Sequence, residues 1–264
     1  MIPKIIHYCW FGGNPLTESA KRYIETWRKY CPDYEIIEWN ESNFNVMENA
    51  YCREAYKAKK WAFVTDYVRL KVLYENGGIY MDTDVEVCKN LDSLLCFAAV
   101  SGYESETSIP TGTLAACRDN EWIGMLLRDY DDRHFLRPDG SYDMITNVKV
   151  ITRLTKEKYG IALNGMKKIF GDNCCILPFD YLCAKSYRTG EINTTENTLT
   201  IHHFAGSWLS EEDKTIHGFY QKKYELLKTY VGNRLASKIA TTIAYIKVYG
   251  LKGCSVLMKR KMSK

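Results

Sequence analysis

An open α/β sheet flanked by helices is the fold class this sequence predicts, and three observations carry it. Short apolar runs alternate with amphipathic helical stretches through the first half of the chain, the pattern of strand–helix–strand units. Breaks rich in Gly, Pro and Asn punctuate that alternation: Gly12-Gly13-Asn14-Pro15, Pro32-Asp33 and Asn76-Gly77-Gly78. The 264 residues, 46% hydrophobic and 26% charged, suffice for one large domain with an appendage.

Each element has a local reason. Ile2 to Phe11 is an apolar run that reads as a buried strand, and the Gly12–Pro15 turn ends it. From Thr17 to Tyr30 the apolar positions Ala20, Tyr23, Ile24, Trp27 and Tyr30 recur at helical spacing, with Thr17 as N-cap. Tyr34 to Trp39 reads as a second strand, and Glu48 to Lys59 as a helix. Val64, Tyr67, Val68, Lys71 and Val72 mark a stronger helix over Lys60 to Asn76, which Gly77 closes with a left-handed C-cap. A short apolar strand follows. Further strands are expected over Phe97–Gly102, Thr113–Cys117, Cys174–Pro178 and Thr198–Phe204. Helices are expected over Glu121–Tyr130, Val148–Lys158 and Glu211–Tyr230. There is no internal repeat. Only the segment after Gly232 separates by composition, so the expected division is 1–231 for the main domain and 232–264 for a basic amphipathic tail.

Charge supports that division. Leu235 to Lys264 holds seven basic residues and no acidic one, which leaves residues 1 to 234 with a net −3 of the chain's +4. A weakly acidic body argues against a nucleic-acid binder. The tail, with Leu235, Ile239, Ile243, Ile246 and Gly250 at 3–4 spacing, fits either a peripheral contact with an anionic membrane or a core-packing helix. Ten Cys without a C-x-x-C pair predict reduced thiols. Met1 to Cys9 runs directly into apparent core with no signal peptide, and no apolar span is long enough to cross a bilayer. A cytoplasmic location is expected.

The most informative stretch is Gly77 to Glu86. In an extended strand, side chains at i and i+2 share a face, so Asp82 and Asp84 would project together with Thr83 turned away. Two such carboxylates repel unless a cation or a proton sits between them. Hard oxygen ligands suit Mg²⁺ or Mn²⁺ shared with substrate phosphates. The spacing alone is weak, because Asp129-Tyr130-Asp131 repeats it in a polar run. Position strengthens it: ligands bind beyond the carboxyl ends of strands in open α/β sheets, and Trp10-Phe11-Gly12 occupies the same class of location. One helix earlier, Asp66 and Arg69 lie a turn apart on one face.

At this point the residues resemble a known family. Trp61 to Arg69 (WAFVTDYVR), followed by Tyr74 to Asp84 (YENGGIYMDTD), resembles the DXD sugar-binding region of glycosyltransferase family 32. Ile5 to Gly13 is similar to that family's first strand, and Ile201-His202-His203-Phe204-Ala205-Gly206-Ser207-Trp208 to its C-terminal motif. Three ordered motifs are more specific than one Asp-x-Asp.

The resemblance implies a GT-A nucleotide-diphospho-sugar transferase fold. It implies Mn²⁺ or Mg²⁺ held by Asp84 and Asp82, with Asp82 also reaching the nucleotide ribose. Asp66 and Arg69 would hold the donor sugar, and Trp10 would stack on the base. Phe11, Tyr80, Thr83, Ser207 and Trp208 would complete the donor contacts. His203, which fits the His-x-x-Gly arrangement, is preferred over His202 as a third metal ligand, and only one of the two can point inward because neighbours on a strand face opposite ways. His7 is expected to satisfy a buried hydrogen bond. The implied reaction is retaining transfer of a sugar, UDP-linked by preference, to a glycan or lipid-linked acceptor in surface polysaccharide synthesis. No carboxylate is marked as a covalent nucleophile. The competing readings are a protein-modifying transferase, a catalytically silent nucleotide-sugar-binding module and, third, a metal-dependent phosphohydrolase or nuclease, for which a single Asp-x-Asp gives too few ligands to build a two-metal site.

Overall fold

A computed structural model describes residues 1–110, 112–206 and 211–262. The apolar runs become strands, and the amphipathic stretches become helices that cover them. In chain order these are β1 (Ile5–Cys9), α1 (Glu18–Tyr30), β2 (Glu35–Trp39), α2 (Ala50–Lys57), α3 (Trp61–Asn76), β3 (Gly78–Met81) and β4 (Val85–Val87). Then come β5 (Ala99–Gly102), β6 (Thr113–Ala116), α4 (Glu121–Arg128), α5 (Asn147–Tyr159), β7 (Lys168–Phe170), β8 (Cys174–Leu177), α6 (Phe179–Leu182) and β9 (Thr200–His202). The last helices are α7 (Glu211–Tyr249) and α8 (Gly253–Met262). The expected N-cap is present: Thr17 Oγ1 accepts from the Ala20 N–H at 3.2 Å.

Seven strands form one sheet in the order β2-β1-β3-β6-β5-β8-β7. β1 lies parallel to β2 and β3, and β5 parallel to β8, whereas β6 and β7 pair antiparallel to their neighbours. Five strands therefore run one way, and their carboxyl ends share one edge. The α/β class expected from the alternation is what the structure has. Alternate residues supply two cores, one on each face of the sheet: Tyr80 joins Phe63, Leu70 and Trp122, while Ile79 and Met81 join Ile6, Trp27 and Val100. A separate ribbon pairs β4 with β9, Val85 opposite His202.

The Asn76-Gly77-Gly78 break is set by close packing. Gly77 has φ 68° and ψ −170°, a positive-φ conformation but not the left-handed helical cap expected from the sequence. A Cβ there would lie 2.8 Å from the Arg118 amide nitrogen, and one on Gly78 (φ +108°) would lie 2.7 Å from His7 Nε2. His7, fully buried, spans this junction. The Trp39 indole N–H donates to its Nδ1 at 3.1 Å, so Nε2 carries the ring proton and donates to the Gly77 carbonyl at 2.7 Å. His7 thus joins β1, β2 and the end of α3 through hydrogen bonds, as the sequence suggested.

The strand does not carry the aspartates. β3 stops at Met81, and Asp82-Thr83-Asp84 forms a turn closed by Val85 N–H to Asp82 O at 3.0 Å. Strand alternation is therefore not what brings Asp82 and Asp84 together. The last ladder bond is from the Asp82 N–H to the Gly112 carbonyl, just before β6 begins, and the chain turns beyond it.

The described chain divides into two compact units, Met1–Lys185 with Ile192–Phe204, and Ser186–Glu191 with Ala205–Lys264. The division falls upstream of the compositional change after Gly232, because composition tracks charge and not contacts. In the second unit the chain of α7 leaves helical geometry at Gly232 (φ 72°, ψ 161°). The two halves pack through Tyr220, Tyr224 and Leu227 against Ala236 and Ala240. The buried stripe of the second half is alanine (Ala236, Ala240, Ala244), while Leu235 and Ile246 are exposed. Small side chains let two helices approach closely, which an apolar-spacing rule does not register. No described helix is long and apolar enough to cross a membrane. All ten cysteines are free thiols.

Burial holds the His7 imidazole below its ordinary range, and the hydrogen bond to Gly77 only partly restores it. A folded value below the unfolded one (about 6.5) means its stabilising contribution is full above that pH. The contribution is lost as pH falls below 6.5 or so toward the folded value. His7→Gln is expected to cost about 1–3 kcal/mol at neutral pH. Its melting temperature should fall less than that of the wild type between about pH 7.5 and pH 5.5; parallel drops in thermal melts would count against this role.

Candidate functional site

The site begins with a buried cation. Arg69 projects from α3 and is only 4% exposed. Its guanidinium lies 3.2 Å from Asp66 Oδ1, one helical turn earlier, and 3.2 Å from Asp82 Oδ1 beyond β3. Nε donates to Thr65 O and Nη2 to Thr65 Oγ1, both at 3.0 Å, and the cation rests 4.6 Å from the centre of the Tyr80 ring. Burial alone would pull the Arg69 pKa down, but Asp82, Tyr80 and Asp66 together hold it above its ordinary value. Asp66 is pushed up to about 6 by burial, against the pull of Arg69. Tyr80, buried to 1%, donates its hydroxyl to Asp82 Oδ1 at 2.8 Å. Asp82 is therefore gripped from two sides.

Asp84 faces a different partner. His202, the last residue of β9, places Nε2 3.4 Å from Asp84 Oδ1. Asp82, Asp84 and His202 offer ligand atoms that all lie within 4.8 Å of one another. Burial pulls the His202 imidazole down, but Asp84, Cys183 and Asp82 outweigh it and hold the ring well above its ordinary value. Two carboxylates and one imidazole form a donor set that fits a divalent cation of the Mn²⁺ or Mg²⁺ type, with the ring neutral in that state.

Here the geometry corrects the choice between the two histidines. His203, preferred from sequence, points away from the aspartates: Nε2 lies 2.8 Å from Glu86 Oε2, and the ring stacks on Tyr23 at 4.6 Å. Alternation on β9 turns one histidine in and one out, as expected. The register Val85–His202 decides which.

The remaining residues fall into two groups. Trp10 is half-buried beyond β1 and donates its indole N–H to Asn14 O at 2.6 Å. Thr83 sits half-buried in the aspartate turn. Phe11 is buried to 5% and packs edge-on to Phe44, so its ring belongs to the core and not to an open ligand face. Ser207 and Trp208 lie outside the described residues. The second Asp-x-Asp is unrelated: Asp129 pairs with Arg133 at 3.5 Å and Arg153 at 3.6 Å.

Sequence reasoning missed three contributors. Asn147, at the start of α5, donates to Asp66 Oδ1 at 3.4 Å. Glu104 follows the carboxyl end of β5, and burial pushes its carboxyl up, with His202 pulling it back and Asp82 pushing it further. Its place just past a parallel strand was the available signal. Gly112 both accepts from the Asp82 N–H and packs against His202, where a Cβ would lie 2.8 Å from the ring.

Parts of the chain are similar to known proteins. Residues 17–100 match the family described as a glycosyltransferase sugar-binding region containing a DXD motif. The chain is similar to inositol phosphoceramide mannosyltransferase 3 of Schizosaccharomyces pombe, 27% identical over 136 residues, covering 48% of this chain and 37% of that protein. It is also similar to a glycosyltransferase of Acanthamoeba polyphaga mimivirus, 33% identical over 101 residues, covering 36% of this chain and 40% of that protein. The matched stretch thus spans well under half of either relative. Among solved structures, the PaToxG glycosyltransferase aligns with a TM-score of 0.46 at 21% identity, over 60% of this chain and 70% of that one. Asp66, Arg69, Asp82 and Asp84 all lie within the matched sugar-binding region, whereas His202 lies beyond it.

Gly112→Ala tests the architecture of the cation corner. The new methyl group would displace the His202 ring, so Mn²⁺ affinity measured by calorimetry should fall about tenfold or more while the fold persists. Unchanged affinity would remove His202 from the corner.

Proposed function

We propose that this chain is a metal-dependent glycosyltransferase that moves a sugar from a nucleotide-sugar donor to an acceptor hydroxyl. The observation that carries the reading is the meeting of Asp82, Asp84 and His202 at the carboxyl edge of the sheet, inside or beside a matched sugar-binding region. Asp84 and His202, with Asp82, would hold Mn²⁺ or Mg²⁺. The imidazole nitrogen favours Mn²⁺, because Mg²⁺ prefers an all-oxygen shell. When bound, the ion supplies charge neutralisation at the departing diphosphate.

The protein's own groups do the positioning. Arg69 fixes Asp66 and Asp82 in one geometry, which preorganises the two carboxylates toward sugar or ribose hydroxyls. Trp10, at the end of β1, offers a flat indole to a base. The motif resemblance supports retention of configuration, a UDP-linked donor and a glycan or lipid-linked acceptor in surface polysaccharide synthesis. The fission-yeast relative is named for a lipid acceptor, inositol phosphoceramide, which is in keeping with the lipid-linked option. Such an acceptor would bring the basic segment 235–264 to an anionic surface.

The test is a panel of UDP- and GDP-linked hexoses with Mn²⁺, scored by nucleoside diphosphate release. Wild-type protein is expected to turn over at least one donor, and EDTA to stop it. Asp84→Ala should lower the rate by about a thousandfold or more. Full activity in Asp84→Ala would end the metal assignment, and donor-dependent thermal stabilisation without turnover would favour the binding module.

A further inference from the structure

The cation that the sequence assigned to the donor is already committed. Arg69 is buried between Asp66 and Asp82, so it serves the aspartates first. A nucleoside diphosphate carries more negative charge than one divalent ion balances, and a second cation facing the same corner would complete the site.

Lys185 is in that place. Its ammonium is half-buried and donates to the His203 carbonyl at 3.0 Å. The His203 N–H in turn donates to Asp84 O at 2.9 Å, extending the β4–β9 ladder one step, so Lys185 caps the ladder where Asp84 sits. Among the described residues the ammonium has no carboxylate within ion-pair distance and no other hydrogen bond, which leaves two of its three N–H donors open. Burial pulls its pKa down and the nearby Asp84 charge only partly restores it. The two open donors of this half-buried ammonium are available to an anion.

The backbone holds it there under strain. Ala184 adopts φ +51°, a left-handed conformation that an alanine takes only at a cost. The Cys183 carbonyl then accepts from two donors, the Lys185 N–H at 2.6 Å and the His202 N–H at 3.0 Å. One carbonyl thus ties the lysine backbone to that of the histidine whose ring meets Asp82 and Asp84.

We propose that Lys185 is a phosphate-binding residue of this site, its ammonium taking the diphosphate of the nucleotide sugar and of the nucleoside diphosphate that leaves. This rests on the nucleotide-sugar reading above and adds a residue beyond the matched region. A compact ammonium suits the role, since it binds phosphate as a point charge from any direction.

The experiment is calorimetric titration of the Mn²⁺-loaded full chain with UDP and with GDP, for wild type, Lys185→Met, Lys185→Gln and Lys185→Arg. Wild type should bind at least one nucleotide. Lys185→Met and Lys185→Gln should bind it roughly ten- to a hundredfold more weakly with unchanged melting temperature and Mn²⁺ affinity. Lys185→Arg should recover most of the loss. Equal nucleotide affinity in wild type and both neutral variants would overturn the inference and leave the transferase reading standing. Failure of the wild type to bind either nucleotide would instead overturn the nucleotide-sugar reading, and this assignment with it.

Discussion

A guanidinium buried between two carboxylates is the constraint on which the rest of this site depends. Arg69 is almost wholly removed from water, and an isolated charge in that position would cost several kcal/mol. Asp66, Asp82, the Thr65 oxygens and the Tyr80 ring offset that cost together. Because Asp66 comes from the same helix and Asp82 from beyond the next strand, the ion pairs lock α3 against the end of β3. The sheet edge cannot shift without stranding the charge. Asp82 is therefore a structural residue and a candidate ligand at once, while Asp84, on the far side of the turn, answers to His202.

The turn itself follows from how the sheet ends. β3 is held by β1 on one side and β6 on the other, and its last ladder bond passes from Asp82 to Gly112. Beyond that point the backbone is free to turn, and the turn sends Val85–Val87 off to pair with β9. That pairing carries His202 to the aspartates. A loop that would otherwise be a simple connection thus becomes the place where three distant segments meet, which is the usual advantage of a strand end in an open α/β sheet.

Local features were legible because local physics sets them. The Thr17 cap and the helical spacing before Tyr30 each depend on residues within a few positions, whereas the Gly77-Gly78 break also answers to His7 and Arg118 packed against it. Asp66 and Arg69 were readable for the same reason, since one helical turn places them together whatever the rest of the chain does. The Asp129 repeat could be set aside only through its context, and the structure gives it arginine partners. Phe11, expected as a donor contact, packs edge-on against Phe44, and from the sequence an aromatic at a strand end looks alike whether it faces core or ligand. His203 is favoured by its His-x-x-Gly spacing, whereas alternation shows only that neighbouring histidines diverge, not which one turns inward.

The sequence by itself determined the fold class, the helix carrying Asp66 and Arg69, and the carboxylate pair at a strand end, because periodicity, capping and spacing are short-range properties. Tertiary structure alone decided that the aspartates lie on a turn, that His202 joins them, that Arg69 is fully engaged and that Lys185 stands beside them. Each of those outcomes depends on strand register and on contacts between segments far apart in the chain. A register shift of one residue would exchange His202 for His203 without changing a single local preference. For that reason no reading of neighbouring residues reaches it.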